Sequence, residues 1–279
     1  MAEAIKIKVH GRNVEALSWG PRDGHLVLAL HGWLDNAASF VPLAPFLDSV
    51  RLVAIDLPGH GRSDWRPDGQ RYHFVDWVPD VVAVADALRA KRFSLLGHSL
   101  GAGIASIVAG SVPHRIERMA LIEGLGPLTD EPGDAAANME KALQKSLDGR
   151  RKITAFDSLE IAVQRIGRAR GKLGDQGARL LAIRGTRKTK RGFELRHDPR
   201  LQDRSLLRLT EAQVLSFLQR IECPVILVRG GEGYAFDYDK MKARVDVLER
   251  GKVVETRGGH HLHMDHPDDV GAILEGFWA

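Results

Sequence analysis

Residues 93–106 read FSLLGHSLGAGIAS and contain the pentapeptide Gly97-His98-Ser99-Leu100-Gly101. The apolar first half is typical of a buried strand and the small-residue second half of a helix, so Ser99 falls on the turn between them. Glycines at such a turn let strand and helix approach closely, and the turn presents the serine side chain above the sheet. The stretch therefore predicts a nucleophilic serine; the alternative is a serine that only caps the helix.

Apolar runs and amphipathic stretches alternate on both sides of this turn. Strands are predicted at LVLALHG, VRLVAID, RMALIEG, CPVILVRG and KVVETRG, a hairpin at IKIKVHGRNVEALSW, and helices at AASFVPLAPFLDS, VDWVPDVVAVADALRA, DYDKMKARVDVLER and PDDVGAILEGFWA. Continuous Val, Ile and Leu runs separated by helices are what a parallel sheet covered on both faces requires. The chain is therefore predicted to be an α/β protein.

The alternation fails between about Leu125 and Leu209, where strand runs disappear. The stretches KALQKSLDGRRKITAFDSLEIAVQRIGRAR and SLLRLTEAQVLSFLQRI have the pattern of charged helices. We therefore predict a core domain of residues 1–124 and 210–279, interrupted by a helical cap of residues 125–209.

The positive charge of the chain is concentrated in one segment. The whole sequence carries +4, but Lys141 to Arg208 contains 19 Lys or Arg against 7 Asp or Glu, which is +12 and leaves −8 for the rest. Such a segment can attract anionic substrates, acidic lipid surfaces or nucleic acid. Aromatic residues, which nucleic-acid sites usually place among the cations, are nearly absent there. We therefore interpret the charge as solvated helix faces plus one basic loop, residues 187–191.

Composition limits the compartment and the chemistry. The 279 residues, 44% of them apolar, suffice for one large core, and neither an export signal nor a membrane-spanning apolar run is visible. The single cysteine, Cys223, excludes an internal disulfide and a cysteine-based metal cluster, and its apolar surroundings predict a packing role. We expect a cytoplasmic protein, a monomer or a homodimer, with no nucleic-acid partner and no stable membrane insertion.

A tetrahedral intermediate on Ser99 needs two backbone N–H donors. The helix that starts after Ser99 offers the N–H of Leu100, and the loop after the strand LVLAL offers that of Trp33. We predict these two groups as the oxyanion hole. We also predict that the side chains of Trp33 and His98 bind the substrate; the alternative for Trp33 is a core position.

Four histidines and an aspartate lie close together in GGHHLHMDH, residues 258–266. The spacing of HLHMDH is that of a zinc-binding loop, but such a site needs further ligands downstream, and the thirteen residues after His266 contain no histidine. It also needs two facing sheets, whereas this chain has the pattern of one parallel sheet. No metal site and no cofactor are therefore expected.

The motifs HGWLDN, DLPGHGRSD, GHSLGAG and GGHHLHMDHP, in this order and spacing, resemble the α/β-hydrolase superfamily over nearly the whole chain. HGWLDNAASF and LRLTEAQVLSFLQRIECPVILVR are similar to the serine-hydrolase-like family within it. The resemblance implies an eight-stranded, mostly parallel sheet and a helical cap over the site. It implies His260 as the base, because Gly259-His260 followed by Pro267 matches the superfamily pattern. His261 is the fallback, and His263 and His266 are interpreted as helix-entry and surface residues.

The acid that orients the base is ambiguous in the sequence. The family pattern expects an aspartate at the position of Gly233, where this chain departs from it. Glu232, one residue away, is the first candidate, Glu123 in MALIEG is the second, and Asp237 lies further along.

With Ser99 as nucleophile, we predict a serine hydrolase that cleaves small to medium carboxylic esters through an acyl-enzyme. A carbon–carbon bond hydrolase that acts on β-diketones or ring-cleavage products is one alternative. A binding protein that keeps the hydrolase pocket but turns over poorly is another, because the displaced acid leaves the triad in question.

Overall fold

The computed structural model of the chain describes residues 2–147, 152–171, 173–233 and 238–278. Strands and helices alternate along most of this length. The strands are β1 (Glu3–Val9), β2 (Arg12–Trp19), β3 (Leu26–Leu30), β4 (Arg51–Ile55), β5 (Phe93–His98), β6 (Ile116–Ile122), β7 (Ala155–Phe156), β8 (Thr186–Thr189), β9 (Gly192–Leu195), β10 (Val225–Gly230) and β11 (Gly251–Thr256). The helices are α1 (Trp77–Ala87), α2 (Leu100–Ser111), α3 (Ala135–Leu147), α4 (Leu159–Ala169), α5 (Asp175–Gly185), α6 (Glu211–Leu218), α7 (Tyr238–Asp246), α8 (Leu262–Asp265) and α9 (Pro267–Trp278).

The main sheet has eight strands in the order β1-β2-β4-β3-β5-β6-β10-β11. β1 and β2 form the predicted hairpin, β2 pairs antiparallel with β4, and the remaining neighbours pair in parallel. This confirms the predicted mostly parallel sheet. The carboxyl ends of the parallel strands share one edge, where α/β proteins place their sites.

Helices cover both faces of the sheet. In β3, Leu28 packs into a cluster with Ile104 of α2, whereas the next residue, Ala29, packs into a second cluster with Leu274 of α9. Successive side chains of a strand point to opposite faces, so an all-apolar strand needs this cover on both sides. The position of β5 in the middle of the sheet therefore places the turn at Ser99 near the centre of the edge.

The stretch AASFVPLAPFLDS does not form the predicted helix. It folds as two short 3-10 turns, Ala37–Phe40 and Ala44–Phe46. Pro42 and Pro45 lack the backbone N–H that a helix interior requires, and the proline ring clashes with the preceding turn. The helix prediction was wrong for this reason, although Phe40 is still buried against the sheet.

The segment between β6 and α6 contains strands as well as helices. In addition to α3, α4 and α5, it holds a three-stranded antiparallel sheet in the order β7-β9-β8 that the sequence did not predict. Strands of two to four residues are too short to show a period. The predicted basic loop includes part of β8 and the turn to β9. The domain boundary at residues 125–209 stays a prediction.

Ion pairs join this basic segment to the acidic remainder of the chain. Arg170 Nε lies 2.7 Å from Asp35 Oδ1, and Arg184 Nη2 lies 2.9 Å from Asp56 Oδ2. Both carboxylates are almost fully buried. The interpretation of the charge as solvated faces is therefore correct only for exposed cations such as Lys188. None of the described helices combines the length and apolar content needed to cross a bilayer.

Candidate active site

Ser99 occupies the turn between β5 and α2. Its backbone has φ 51° and ψ −112°, which non-glycine residues rarely adopt. A Cβ at Gly97 would stand 2.5 Å from Ala102 Cα, and one at Gly101 would stand 1.9 Å from the carbonyl oxygen of Leu30. Only glycine permits these approaches, so the two glycines allow the helix to begin directly at the strand end.

His260 lies in the loop between β11 and α8, and its ring faces Ser99. Its Nε2 is 2.9 Å from Ser99 Oγ, and its Nδ1 is 3.3 Å from Glu123 Oε2. The His260 side chain is 25% exposed and that of Glu123 is 0% exposed, so solvent reaches the ring but not the carboxylate. With the Nδ1–H donated to the carboxylate, Nε2 carries the lone pair that can accept the serine proton.

Glu123 directly follows β6, with a φ of 54°. Its N–H donates to the carbonyl oxygen of Val228 at 3.0 Å, and its Oε1 accepts the N–H of Gly230 at 2.8 Å. Both bonds go to the neighbouring strand β10. The carboxylate is therefore held in place by the sheet edge itself.

Gly233 lies against this carboxylate. A Cβ at residue 233 would stand 2.4 Å from both carboxylate oxygens of Glu123. Glu123 thus occupies, from the end of β6, the place that an aspartate at residue 233 would occupy from the loop after β10. The departure from the family pattern has a steric explanation, because the two side chains exclude each other.

The structure does not bring Glu232, the first candidate for the acid, to His260. Its side chain is exposed, and among the described residues it forms neither a hydrogen bond nor an ion pair; its backbone N–H donates to the carbonyl oxygen of Gly258. The loop turns the Glu232 side chain towards solvent. Asp237 lies outside the described residues.

The two predicted oxyanion donors follow neighbouring strand ends. Leu30 of β3 is the register partner of Gly97 of β5, so Trp33 and Leu100 start from adjacent positions at the sheet edge. Leu100 is the first residue of α2, and the N–H groups of a first helical turn have no intrahelical acceptor. The Trp33 indole is 50% exposed and donates to the carbonyl oxygen of Leu201 at 3.0 Å, which excludes the core alternative.

His98 is fully buried, contrary to the prediction that it binds the substrate. Its Nε2 lies 2.8 Å from the carbonyl oxygen of His260, so it supports the loop of the base. Its ring centroid is 4.3 Å from that of His263 and 4.9 Å from that of His261. Burial, reinforced by these neighbours, lowers the pKa of His98 well below its usual range, and the ring is neutral.

Two other histidines of the segment, His261 and His263, also make buried contacts, whereas His266 is half-buried. His261, the fallback base, places Nε2 3.0 Å from Asp35 Oδ2, and His263 places Nε2 2.7 Å from Ser39 Oγ. The interpretation of His263 as a residue of the helix entry is correct for its position in α8, but its side chain is fully buried. These contacts leave His260 as the histidine at Ser99.

Asp35 is the residue of this region that sequence reasoning missed. It is 2% exposed and binds Arg170 through one oxygen and His261 through the other. Although burial by itself raises the pKa of Asp35, the charges of His261 and Arg170 lower it well below the usual range. The only sequence feature that could have drawn attention to Asp35 was its position in the motif HGWLDN.

The geometry of strand, turn, serine and histidine agrees with comparisons to known proteins. The family model for the alpha/beta hydrolase fold matches residues 25–267. The chain belongs to the α/β-hydrolase family. Within it, the chain is 33% identical to a serine hydrolase-like protein of Danio rerio, over 99% of this chain and 88% of that protein. It is also 33% identical to a serine hydrolase-like protein of Dictyostelium discoideum, over 94% of this chain and 78% of that protein.

Two solved structures superpose closely on this one. A hypothetical protein of Pseudomonas aeruginosa has a TM-score of 0.94 and 41% identity, with 99% of both chains covered. A thioesterase domain from the curacin biosynthetic pathway has a TM-score of 0.85 and 25% identity, covering 98% of this chain and 99% of that one. The comparisons therefore support a serine hydrolase-like α/β hydrolase.

Proposed function

We propose that this α/β hydrolase cleaves small to medium carboxylic esters through an acyl-enzyme on Ser99. The observation that carries the proposal is the continuous contact from Ser99 Oγ to His260 Nε2 at 2.9 Å and from His260 Nδ1 to Glu123 Oε2 at 3.3 Å. A hydroxyl, an imidazole and a buried carboxylate in this order form the arrangement that activates a serine nucleophile.

In the proposed reaction, Ser99 Oγ attacks the ester carbonyl while His260 accepts the hydroxyl proton. Glu123 stabilises the imidazolium that forms, and the N–H groups of Trp33 and Leu100 bind the oxyanion. His260 then returns the proton to the departing alcohol, which leaves an acyl-enzyme. Water, deprotonated by His260, hydrolyses this ester and restores Ser99.

A cavity of about 590 Å³ lies between the loop after β3 and the segment inserted between β6 and α6. Its wall includes Leu34, Phe156, Ile166 and Arg165, and its volume falls in the range of small-molecule sites. None of the residues of the proposed triad and oxyanion hole lines it, so the cavity does not hold the scissile carbonyl.

Acyl thioesters are a second candidate substrate class, favoured by the likeness to the curacin thioesterase domain. The same serine mechanism applies, because only the leaving group changes. The binding-protein alternative was based on the missing aspartate at residue 233. The carboxylate of Glu123, which lies against Gly233, argues against this alternative.

The test is hydrolysis of a chain-length series of p-nitrophenyl esters and matched acyl thioesters by the wild type and Ser99→Ala, with EDTA in a parallel set. We expect turnover that EDTA does not abolish and that Ser99→Ala removes. Activity that Ser99→Ala leaves intact, or that EDTA abolishes, would overturn the proposal. Cleavage of β-diketones without cleavage of any ester would favour the carbon–carbon alternative.

A further inference from the structure

Three buried polar side chains converge behind the loop of His260: Asp35, His98 and His261. The atoms Asp35 Oδ2, His98 Nδ1 and His261 Nε2 all lie within 4.8 Å of one another. The three residues are 2%, 0% and 4% exposed, in that order. They come from the loop after β3, the end of β5 and the loop before α8, so the sheet edge brings them together.

The hydrogen bond of His98 to the backbone fixes which of its nitrogens carries the proton. A carbonyl oxygen can only accept, so the contact to the carbonyl of His260 at 2.8 Å requires Nε2–H. Because the hydrogen lies on Nε2 and no described group donates to or accepts from Nδ1, the lone pair of the ring is on Nδ1. This lone pair faces Asp35 Oδ2 at 3.8 Å, and Nδ1 has no hydrogen-bond partner in the described part of the chain. Two hydrogen-bond acceptors, His98 Nδ1 and Asp35 Oδ2, thus face each other in the protein interior.

The surroundings of these atoms are those of metal ligands. Metal-binding histidines usually donate their second N–H to a carboxylate or a backbone carbonyl, and ligating carboxylates are themselves hydrogen-bonded. His98 donates to the carbonyl of His260, and the second oxygen of Asp35 accepts from Arg170 at 2.7 Å. A Cβ at Gly32 would stand 2.9 Å from both Asp35 Oδ2 and His98 Nδ1, so only glycine lets these two atoms face each other.

We propose that Asp35, His98 and His261 form a binding site for a divalent transition-metal ion such as Zn²⁺. Two imidazoles and a carboxylate suit this class of ion. Metal–ligand bonds of about 2.0–2.2 Å in a tetrahedral site place ligand atoms about 3.4 Å apart. Asp35 Oδ2 is 3.0 Å from His261 Nε2 and 3.8 Å from His98 Nδ1, and the three atoms lie within 4.8 Å of one another, so binding an ion requires the two rings to rotate towards it.

Binding requires a change in the tautomer of His261. His261 Nε2 donates its hydrogen to Asp35 Oδ2, so this nitrogen must lose the hydrogen before it can ligate the metal. The hydrogen moves to His261 Nδ1, which has no other partner among the described residues, and the neutral ring then binds through Nε2.

An ion at this site would also act on the proposed hydrolysis, an inference that rests on the proposed function. The ring centroids of His98 and His261 lie 4.9 Å and 5.4 Å from that of His260. A divalent charge so close disfavours the His260 imidazolium that forms when Ser99 loses its proton. We therefore expect the bound metal to lower kcat for ester hydrolysis.

The test is titration of metal-free protein with ZnCl₂ by isothermal calorimetry, and with CoCl₂ by its d–d absorption. We expect one ion per chain, with an affinity at least about tenfold weaker in Asp35→Asn and in His261→Gln. His266→Gln is the matched control from the same histidine-rich segment, and it should bind like the wild type. Failure to bind one ion, or loss of binding in His266→Gln but not in Asp35→Asn, would overturn the site.

A second readout keeps the test valid if Asp35→Asn unfolds. Excess Zn²⁺ should raise the Tm of the wild type and of His266→Gln but not of His261→Gln, because a ligand that binds only the folded state stabilises it. A Tm rise that survives in His261→Gln would contradict the site.

Hydrolysis is measured in parallel. Binding of one ion per chain with an unchanged kcat would contradict the expected inhibition of ester hydrolysis by the metal. Full activity in Ser99→Ala would instead overturn the proposed function and leave the binding result intact.

Discussion

The Glu123 carboxylate and any side chain at residue 233 exclude each other, which explains why glycine stands there and the acid of the proposed triad comes from the end of β6. The carboxylate of Glu123 lies 3.3 Å from His260 and 2.4 Å from the Cβ that residue 233 lacks. We expect Glu123→Gln to lower kcat for esters by about 10³- to 10⁴-fold, because the amide no longer stabilises the imidazolium. Steady-state kinetics check this, with Glu232→Gln as a control that should behave like the wild type. A larger loss of kcat in Glu232→Gln than in Glu123→Gln would instead indicate Glu232, the first candidate from the sequence, as the acid.

The same contact predicts that the acid can be moved. Gly233→Asp alone should destabilise the protein, because its Cβ meets the Glu123 carboxylate and adds a like charge. In a Glu123→Ala background, the same substitution should recover kcat by about tenfold or more over Glu123→Ala alone, because the new carboxylate can reach His260. Kinetics of the single and double variants measure this. A double variant no more active than Glu123→Ala would show that position 233 cannot supply the acid.

At the scale of elements, buried ion pairs hold the inserted segment on the sheet. Asp56, at the end of β4, is 0% exposed and accepts from Arg184 and from the N–H groups of Ala37 and Arg62. Arg184→Gln should lower the free energy of unfolding by about 3 kcal/mol, because it leaves a buried carboxylate without its cation.

Urea unfolding measures this loss. Arg187→Gln is the matched control, because the Arg187 side chain is 47% exposed and its pair with Glu194 lies within one hairpin. This control should cost less than about 1 kcal/mol. Equal losses in the two variants would mean that the pair with Asp56 does not anchor the segment.

At the scale of the whole molecule, buried neutral histidines should make the fold sensitive to acid. Burial is the main cause that lowers the pKa of a group of described histidines: His31, His60, His98, His197 and His263. For His197, burial and the charge of Arg170 lower the pKa to about 4. Between its unfolded pKa of about 6.5 and this value, the unfolded chain binds a proton that the folded chain does not. Stability should therefore fall as pH falls through this window, with about 3 kcal/mol from His197.

Urea unfolding at pH 7.5, 6, 5 and 4 tests this direction. His197→Gln should flatten the dependence, since glutamine does not titrate. A stability that rises towards pH 4, or a slope unchanged in the variant, would contradict the assignment of His197 as a half-buried neutral group.

The sequence by itself determined the parallel sheet and the turn at Ser99, whereas His260 was singled out among its neighbouring histidines by the resemblance to the superfamily pattern. The sheet and the turn depend on local patterns: apolar runs of strand length and glycines next to a serine. A local signal also existed for the one misassigned core element, because Pro42 and Pro45 mark the stretch as non-helical. The short strands of the inserted segment left no such signal.

Only the tertiary structure decided which carboxylate meets His260, where His98 points and what Asp35 binds. Along the chain Glu232 ranks ahead of Glu123, but Glu123, 137 residues from His260, reaches it because β6 and β10 pair. Asp35, His98 and His261 come together in the same way, from three separate segments. Contacts of this kind depend on how strand ends meet at the sheet edge. No periodicity in the sequence predicts these contacts. The energy of each contact depends on burial, and the residues become buried only once the sheet has formed.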